Sequence, residues 1–156
     1  MTQTAQNLAP DAQAEIVTAL NQAVAETTVT TMLAQNFHWN VTGMAFGPLH
    51  ALFQEVYEDH FEAQDDLAER VKALGGHAEG TLAGMVARSK VAEHDGNAPD
   101  AEMIKVLADA QSTVAATLAG AGQLAAGHGD TVTEDICIGR AQVHEKFAWI
   151  LRAHLH

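Results

Sequence analysis

Apolar residues recur every three or four positions along most of the chain, and this helical period restricts the fold more than any other feature. The first series predicts one long amphipathic helix from about residue 11 to Thr42–Gly43, where glycine can end a helix. The residues of this series are Ile16, Leu20, Val24, Val29, Leu33 and Phe37.

A second long helix follows directly. Pro48 suits its first turn, and Gly75–Gly76 terminates it. Residues 77–98 are less regular: TLAGMVARSKV predicts a short connecting helix, and EHDGNAP is typical of a loop.

Two more helices complete the pattern. Pro99–Asp100 opens the third, which runs to about Gly127, and Thr131 with Glu134 resembles a capping box at the start of the fourth. Four long helices with one longer middle connection predict an all-α four-helix bundle. We expect a single domain over residues 1–156, with residues 1–10 as a short non-basic tail.

The charge of the chain is negative and unevenly distributed. The net charge is −12, and residues 1–69 hold ten acidic side chains and no basic one. Such a chain repels phosphate backbones and attracts cations, so DNA binding is not expected. The single Cys137 fits a reducing compartment. Without a signal peptide or an apolar run of about 18 residues, the sequence predicts a soluble cytoplasmic protein that does not bind membranes.

The second helix carries an unusual row of carboxylates. Glu58, Glu62, Asp65 and Glu69 follow at steps of four, three and four, so they share one helix face. A charge run is most often a solvated surface, but such surfaces usually interleave lysine and arginine, and here there are none. The other interpretation is that divalent cations offset the charge, because they prefer oxygen ligands.

Two histidines indicate which metal would bind. His38 lies at the end of the first helix in NFHWN, and His50 lies in the first turn of the second in GPLH. The short connection makes these helix ends neighbours, so the two imidazoles could meet at one corner. A lone histidine is usually structural, whereas a mixed histidine and carboxylate shell points to iron, or else zinc or copper.

One subunit cannot unite these donors. His50 and Asp65 lie fifteen residues apart on one straight helix, which is about 22 Å at 1.5 Å per residue. Ligands of one metal sit within a few ångströms of each other. Antiparallel packing of two copies around a twofold axis would set the histidine end of one against the Asp65 end of the other.

These residues resemble the Dps family, the mini-ferritins known as DNA-binding proteins from starved cells. The resemblance is most specific in NFHWNVTGMAFGPLHALFQEVYEDHFEAQDDLAERVKALGG and weaker in GDTVTEDICIGRAQVHEKFAWIL. It implies a ferritin-like bundle in a hollow shell of twelve subunits. It also implies ferroxidase centres that use His38 and His50 of one subunit with Asp65 and Glu69 of its mate. There Fe(II) is oxidised, preferentially by hydrogen peroxide rather than oxygen, and ferric iron is stored; other divalent metals can bind the same site.

The resemblance also suggests roles for residues around the centre. Trp39 would donate electrons that intercept radicals, although packing in the core is an equal alternative. Glu58 and Glu62 would serve iron transit or nucleation on the inner surface. Asp130 and Asp135 match the acidic region near the threefold pores, although Asp130 can also be a helix cap.

Two departures from the family stand out. The position one turn after His50 is usually acidic in the family, but here it is Gln54. A neutral amide cannot balance the charge of a second metal ion, which puts the occupancy of the second metal position in doubt. The tail lacks the lysines and arginines of DNA-binding members.

Three alternatives to an iron-oxidising cage stay open. The first is a nucleoid protein that binds and protects DNA. The second is an oxygen-activating di-iron enzyme, which requires Glu-x-x-His motifs that the chain does not contain. The third is a metal-free helical scaffold. The other histidines, at positions 60, 77, 94, 128, 144, 154 and 156, form no recognisable ligand spacing.

Overall fold

The computed structural model describes residues 7–156 and forms a bundle of helices. The long helices pair as α1 with α2 and α4 with α5; α1 also contacts α4, and the short α3 lies against α1. The predicted four-helix bundle with a short helix in its middle connection is therefore confirmed. The helices are α1 (Pro10–Asn40), α2 (Phe46–Ala73), α3 (Leu82–Arg88), α4 (Asp100–Gly127) and α5 (Thr131–Ala153).

The first helix begins at Pro10, one residue earlier than predicted. Pro10 occupies the first turn of α1, where its missing N–H costs nothing. Most of the predicted tail, residues 1–6, lies outside the described residues.

Glycines end α2 and α4 in the same way. At the end of α2, the Gly76 N–H donates to the Val71 carbonyl and the Gly75 N–H to the Lys72 carbonyl, with Gly75 at a φ of 80°. This is the Schellman arrangement, which needs a residue that tolerates positive φ. Gly129, at a φ of 76°, closes α4 similarly.

The start of α5 differs from the prediction. The N-cap is Asp130, whose carboxylate accepts the Thr133 N–H at 3.1 Å, while Thr131 is already helical. The expected capping box of Thr131 and Glu134 is therefore wrong. Aspartate is as good a cap as threonine, and this one is also buried in an ion pair with Arg70 at 2.9 Å.

The core is mainly apolar but includes several buried polar side chains. One group of them with its partners, the core polar cluster, consists of Asp59, His60, Gln111, Arg140 and His144. His60 and His144 both contact the Gln111 side-chain oxygen, at 2.9 and 2.6 Å, and all three residues are fully buried. His60 also contacts Asp59, which accepts two hydrogen bonds from Arg140. Burial lowers the pKa of His144 to about 2, so this ring is neutral.

None of the helices in residues 7–156 combines the length and the apolar character that a membrane crossing requires.

Candidate metal centre

The structure brings His38 and His50 together at the junction of α1 and α2. The Nδ1 atom of each ring lies 2.7 Å from the backbone carbonyl oxygen of the other residue. The rings are stacked, with centroids 3.7 Å apart and planes 16° from parallel. The connection of five residues, from Val41 to Ala45, keeps these two turns adjacent.

These hydrogen bonds determine which nitrogen is available to a metal. A carbonyl oxygen can only accept, so the Nδ1 atoms of His38 and His50 must both carry the hydrogen. In the neutral ring the lone pair is then on Nε2. Metal-binding histidines are commonly oriented in this way, with one nitrogen held by a carbonyl and the other free to coordinate.

Two more aromatic rings continue the stack. Phe46, the first residue of α2, lies against His50 with centroids 5.0 Å apart and planes 24° from parallel. Tyr57 meets His38 edge to face, with centroids 5.3 Å apart. We call the series Phe46, His50, His38 and Tyr57 the aromatic stack.

The four carboxylates of the acidic row, Glu58, Glu62, Asp65 and Glu69, are all exposed on α2. Among residues 7–156 none of them forms an ion pair, because the nearby arginines serve other acids. Arg70 pairs with Asp130, and Arg140 pairs with Asp59. No basic side chain in the described part of the subunit therefore offsets the charge of the row.

Gln54 lies between the imidazoles and the acidic row. Its side-chain nitrogen donates to Glu58 Oε1 at 2.7 Å. Because the carboxylate can only accept, the carbonyl oxygen of Gln54 is the atom left free. A neutral oxygen ligand is thus available one turn after His50.

A single chain does not bring imidazoles and acidic row together. The helix α2 is continuous from Phe46 to Ala73, so His50 and Asp65 remain about 22 Å apart along its axis. In the described part of the chain, no three histidine, cysteine, aspartate or glutamate side chains are placed to hold a metal ion. A complete ligand shell would need donors from a second subunit.

An exposed apolar groove is lined by Trp39, which follows His38, and by Phe61 and Gln64, which precede Asp65 on α2. It has a volume of about 570 Å³, and α1, α2 and α3 form its walls. A neighbouring cavity of about 720 Å³ shares several of its walls and reaches Glu62 and Asp65. Contiguous apolar surface of this kind marks an interface. The large exposed side chains of the groove are Met32, Trp39, Phe61, Leu82 and Val86.

Trp39 belongs to this groove rather than to the core. Its side chain is 61% exposed, so packing in the core of the subunit is not its role. It directly follows His38 and is open to solvent in the single subunit.

The two aspartates expected near a pore have different surroundings. Asp130 is 1% exposed, and its two oxygens accept hydrogen bonds from Arg70 and Thr133, so it serves as a helix cap. Asp135 is exposed and lines a surface cavity together with Glu69.

The sequence did not reveal the buried histidines. His60 and His144 carry no metal-ligand spacing, and their common partner Gln111 is far away in the chain. The only available signal was a polar residue at a position that the helical repeat of apolar residues turns towards the core.

Comparisons with known proteins agree with this architecture. Residues 17–156 match the family described as ferritin-like domain. General stress protein 20U of Bacillus subtilis is 34% identical over 141 residues, which cover 90% of this chain and 97% of the relative. The DNA protection during starvation protein of Brevibacillus brevis is 33% identical over 140 residues, covering 90% and 94%.

Solved structures give the same result. The Dps of Staphylococcus aureus superposes with a TM-score of 0.89 at 35% identity, covering 92% of this chain and 97% of that one. The Dps protein of Vibrio cholerae, described as a member of a broad superfamily of ferritin-like diiron-carboxylate proteins, has a TM-score of 0.93 at 28% identity. That superposition covers 100% of this chain and 98% of the other.

Proposed function

The chain belongs to the ferritin-like family, among the Dps proteins, and on that premise we propose that it is a ferroxidase and iron store. It binds Fe(II) at centres shared between two subunits, oxidises it, and keeps the ferric product inside a shell of twelve subunits. The observation that carries this proposal is the divided donor set. Two imidazoles offer Nε2 at one end of α2, and unpaired carboxylates lie about 22 Å away on the same helix.

Packing of two subunits around a twofold axis would bring the two separated sets of donors, the imidazoles and the carboxylates, together. If α2 of one subunit runs antiparallel to α2 of another, the imidazoles of each meet Asp65 and Glu69 of the other. The same antiparallel packing would cover the apolar groove, including the exposed Trp39 and Phe61. The apolar area supplies the affinity for association, and the assembled interface supplies the ligands.

The donors suit Fe(II) as a substrate. Imidazole nitrogen together with carboxylate oxygen is a mixed shell that iron accepts. His38 with Asp65 and Glu69 of the second subunit would hold the first ion, and His50 with the Gln54 oxygen would hold the second. In the proposed reaction each of two Fe(II) ions loses one electron, the O–O bond of hydrogen peroxide breaks, and two protons are taken up to form two waters.

Surrounding residues would assist this reaction. Trp39, beside His38, is placed to give up an electron to a stray radical at the interface. Glu58 and Glu62 extend the negative surface away from the centre and would pass ferric ions towards the mineral. Asp135 would attract Fe(II) at an entry pore, because it is exposed and close to Glu69.

Mixed subunits test the shared centre. One variant loses both imidazoles (His38→Ala, His50→Ala), and another loses both carboxylates (Asp65→Ala, Glu69→Ala). Each alone should assemble but oxidise Fe(II) slowly. Co-assembly from the unfolded state should restore about a quarter of the centres, because half of the twofold pairs are mixed and each regains one centre of two.

Two outcomes would count against the proposal. If verified mixed assemblies are no more active than the parents, the centre is not shared. If the unmodified protein forms no large particle and retains no iron after Fe(II) loading, storage in a shell is wrong. Measuring the particle mass together with the iron content after Fe(II) loading tests whether iron is stored in a shell.

DNA protection is the alternative function, since relatives of this chain carry that name. The net charge of −12 per subunit and the absence of basic residues before Arg70 oppose it. We therefore place iron oxidation first.

A further inference from the structure

The hydrogen bonds at the imidazole pair leave one motion of each ring unrestrained. The torsion about the Cβ–Cγ bond of histidine is soft and has no sharp staggered minima. One hydrogen bond at Nδ1 anchors one edge of the ring but still allows the ring to tilt. The Nε2 lone pair turns with the ring, and a functional site must keep its donors within about 10–20° of the productive direction.

The outer members of the aromatic stack restrict this tilt. His50 has Phe46 on one side, nearly parallel at 24°, and His38 stacked against it at 3.7 Å. His38 in turn meets the ring of Tyr57 edge to face, at 81° between the planes. A tilt of either imidazole would bring it into a neighbouring ring.

The sequence places both flanking rings on α2. Phe46 precedes His50 by one turn, so the two side chains are neighbours on the same helix face. Tyr57 lies on the same helix and reaches across to His38 on α1. Phe46 is 46% exposed, so burial of apolar area explains its position poorly.

We infer that Phe46 and Tyr57 are positioning residues, whose rings hold the two imidazoles in the orientation that metal binding requires. The inference rests on the function proposed above, because it assigns these rings to the same centre. Neither residue coordinates the metal.

Anaerobic Co(II) binding to the assembled protein tests the inference without catalysis. Co(II) absorption in the visible region reports the number and the geometry of its ligands, and competition with a chelator gives its affinity. Phe46→Leu and Tyr57→Leu remove the rings but keep apolar side chains, while Phe46→Tyr and Tyr57→Phe keep the rings. Loss of a supporting contact commonly costs metal sites about 10–100-fold in affinity.

We expect the two leucine variants to bind Co(II) at least about tenfold more weakly and with an altered spectrum, and the two ring-retaining variants to match the parent. Phe147→Leu is the control for general loss of packing, because Phe147 contacts His60 and not the imidazole pair. It should lower the urea midpoint without changing the Co(II) spectrum.

The possible results separate the two proposals. If the parent protein gives no Co(II) spectrum that depends on His38, the proposed centre itself fails. If the parent binds but the leucine variants bind equally well, the positioning role is refuted. The same conclusion holds if Tyr57→Phe weakens binding as much as Tyr57→Leu, since the hydroxyl group and not the ring would then matter.

Discussion

Replacing Gln54 by aspartate should strengthen the second metal position. Gln54 now offers a neutral oxygen, and its nitrogen is held by Glu58 at 2.7 Å. An aspartate there would place an anion one turn from His50. The substitution Gln54→Asn is the matched control, because asparagine has the size of aspartate without its charge.

The expected gain can be bounded from Coulomb's law. A carboxylate oxygen about 2 Å from a dication gains about 4 kcal/mol even at the dielectric constant of water. Loss of the amide ligand and desolvation of the carboxylate reduce this figure. We expect about 1.4–2.8 kcal/mol to remain, which is a ten- to hundredfold tighter second site.

The same substitution should lower the stability of the metal-free protein. It removes the hydrogen bond to Glu58 and puts two like charges one turn apart on α2. Both groups are on the surface, so the cost in free energy of unfolding should be only about 0.5–1 kcal/mol. Stability without metal and affinity for metal therefore change in opposite directions.

Anaerobic Fe(II) titration of the assembled protein provides the assay. The parent should show one tight and one weaker site per centre, and Gln54→Asp should bring the two affinities together. Gln54→Asn should leave the second site weak. Two equally tight sites in the parent, or equal tightening by aspartate and asparagine, would refute the reasoning.

Further predictions concern stability, reactivity and partners. Asp130→Ala should lower the free energy of unfolding in urea by about 3–5 kcal/mol, because it strands Arg70 and removes a cap; adding Arg70→Met should recover part of the loss, and a purely additive effect would argue against the ion pair. Burial raises the pKa of the Cys137 thiol to about 11, so a disulfide reagent at pH 8 should label it only in denaturant, and rapid labelling of the folded protein would contradict this. Burial opposes ionisation of Asp59, but hydrogen bonds from His60 and Arg140 prevail and hold its pKa well below the usual 3.8. Its stabilising effect is therefore complete above about pH 4 and lost as the pH falls further, so the stability gap between the parent and Asp59→Asn should narrow from pH 5 to pH 2.5; a constant gap would count against it. In a gel-shift assay at physiological salt with a chelator, DNA should not shift, and salt-sensitive binding would overturn that expectation.

Local signals predicted the helices well. The ends of α2 and α4 follow from glycines that take positive φ, and Asp100–Gly127 was expected from Pro99 and the apolar period alone. The meeting of His38 and His50 was also predictable, because a short connection leaves two helix ends no other arrangement. These features depend on residues that are close in the chain.

Features that depend on distant residues were missed. Asp130 was foreseen as a possible helix cap, but its ion pair with Arg70 was not, because Arg70 lies sixty positions earlier in the chain. The reciprocal hydrogen bonds of the imidazole pair depend on ring orientations that spacing does not reveal. Buried His60 of α2 meets Gln111 of α4 only once the whole bundle has formed.

The core polar cluster has a consequence for how the helices align. Much of the surface that α4 buries consists of alanines, such as Ala108, Ala115, Ala121 and Ala125, and such a smooth surface distinguishes poorly between alignments one turn apart. A slip of one turn moves side chains by about 5.4 Å, which would separate His60 and His144 from the Gln111 oxygen. Each buried polar group left without a partner costs about 1–3 kcal/mol, so sliding by a turn is penalised at this layer. The cluster thus favours one alignment of α2 with α4 and α5, and with it the position along the bundle at which each end of α2 presents its side chains.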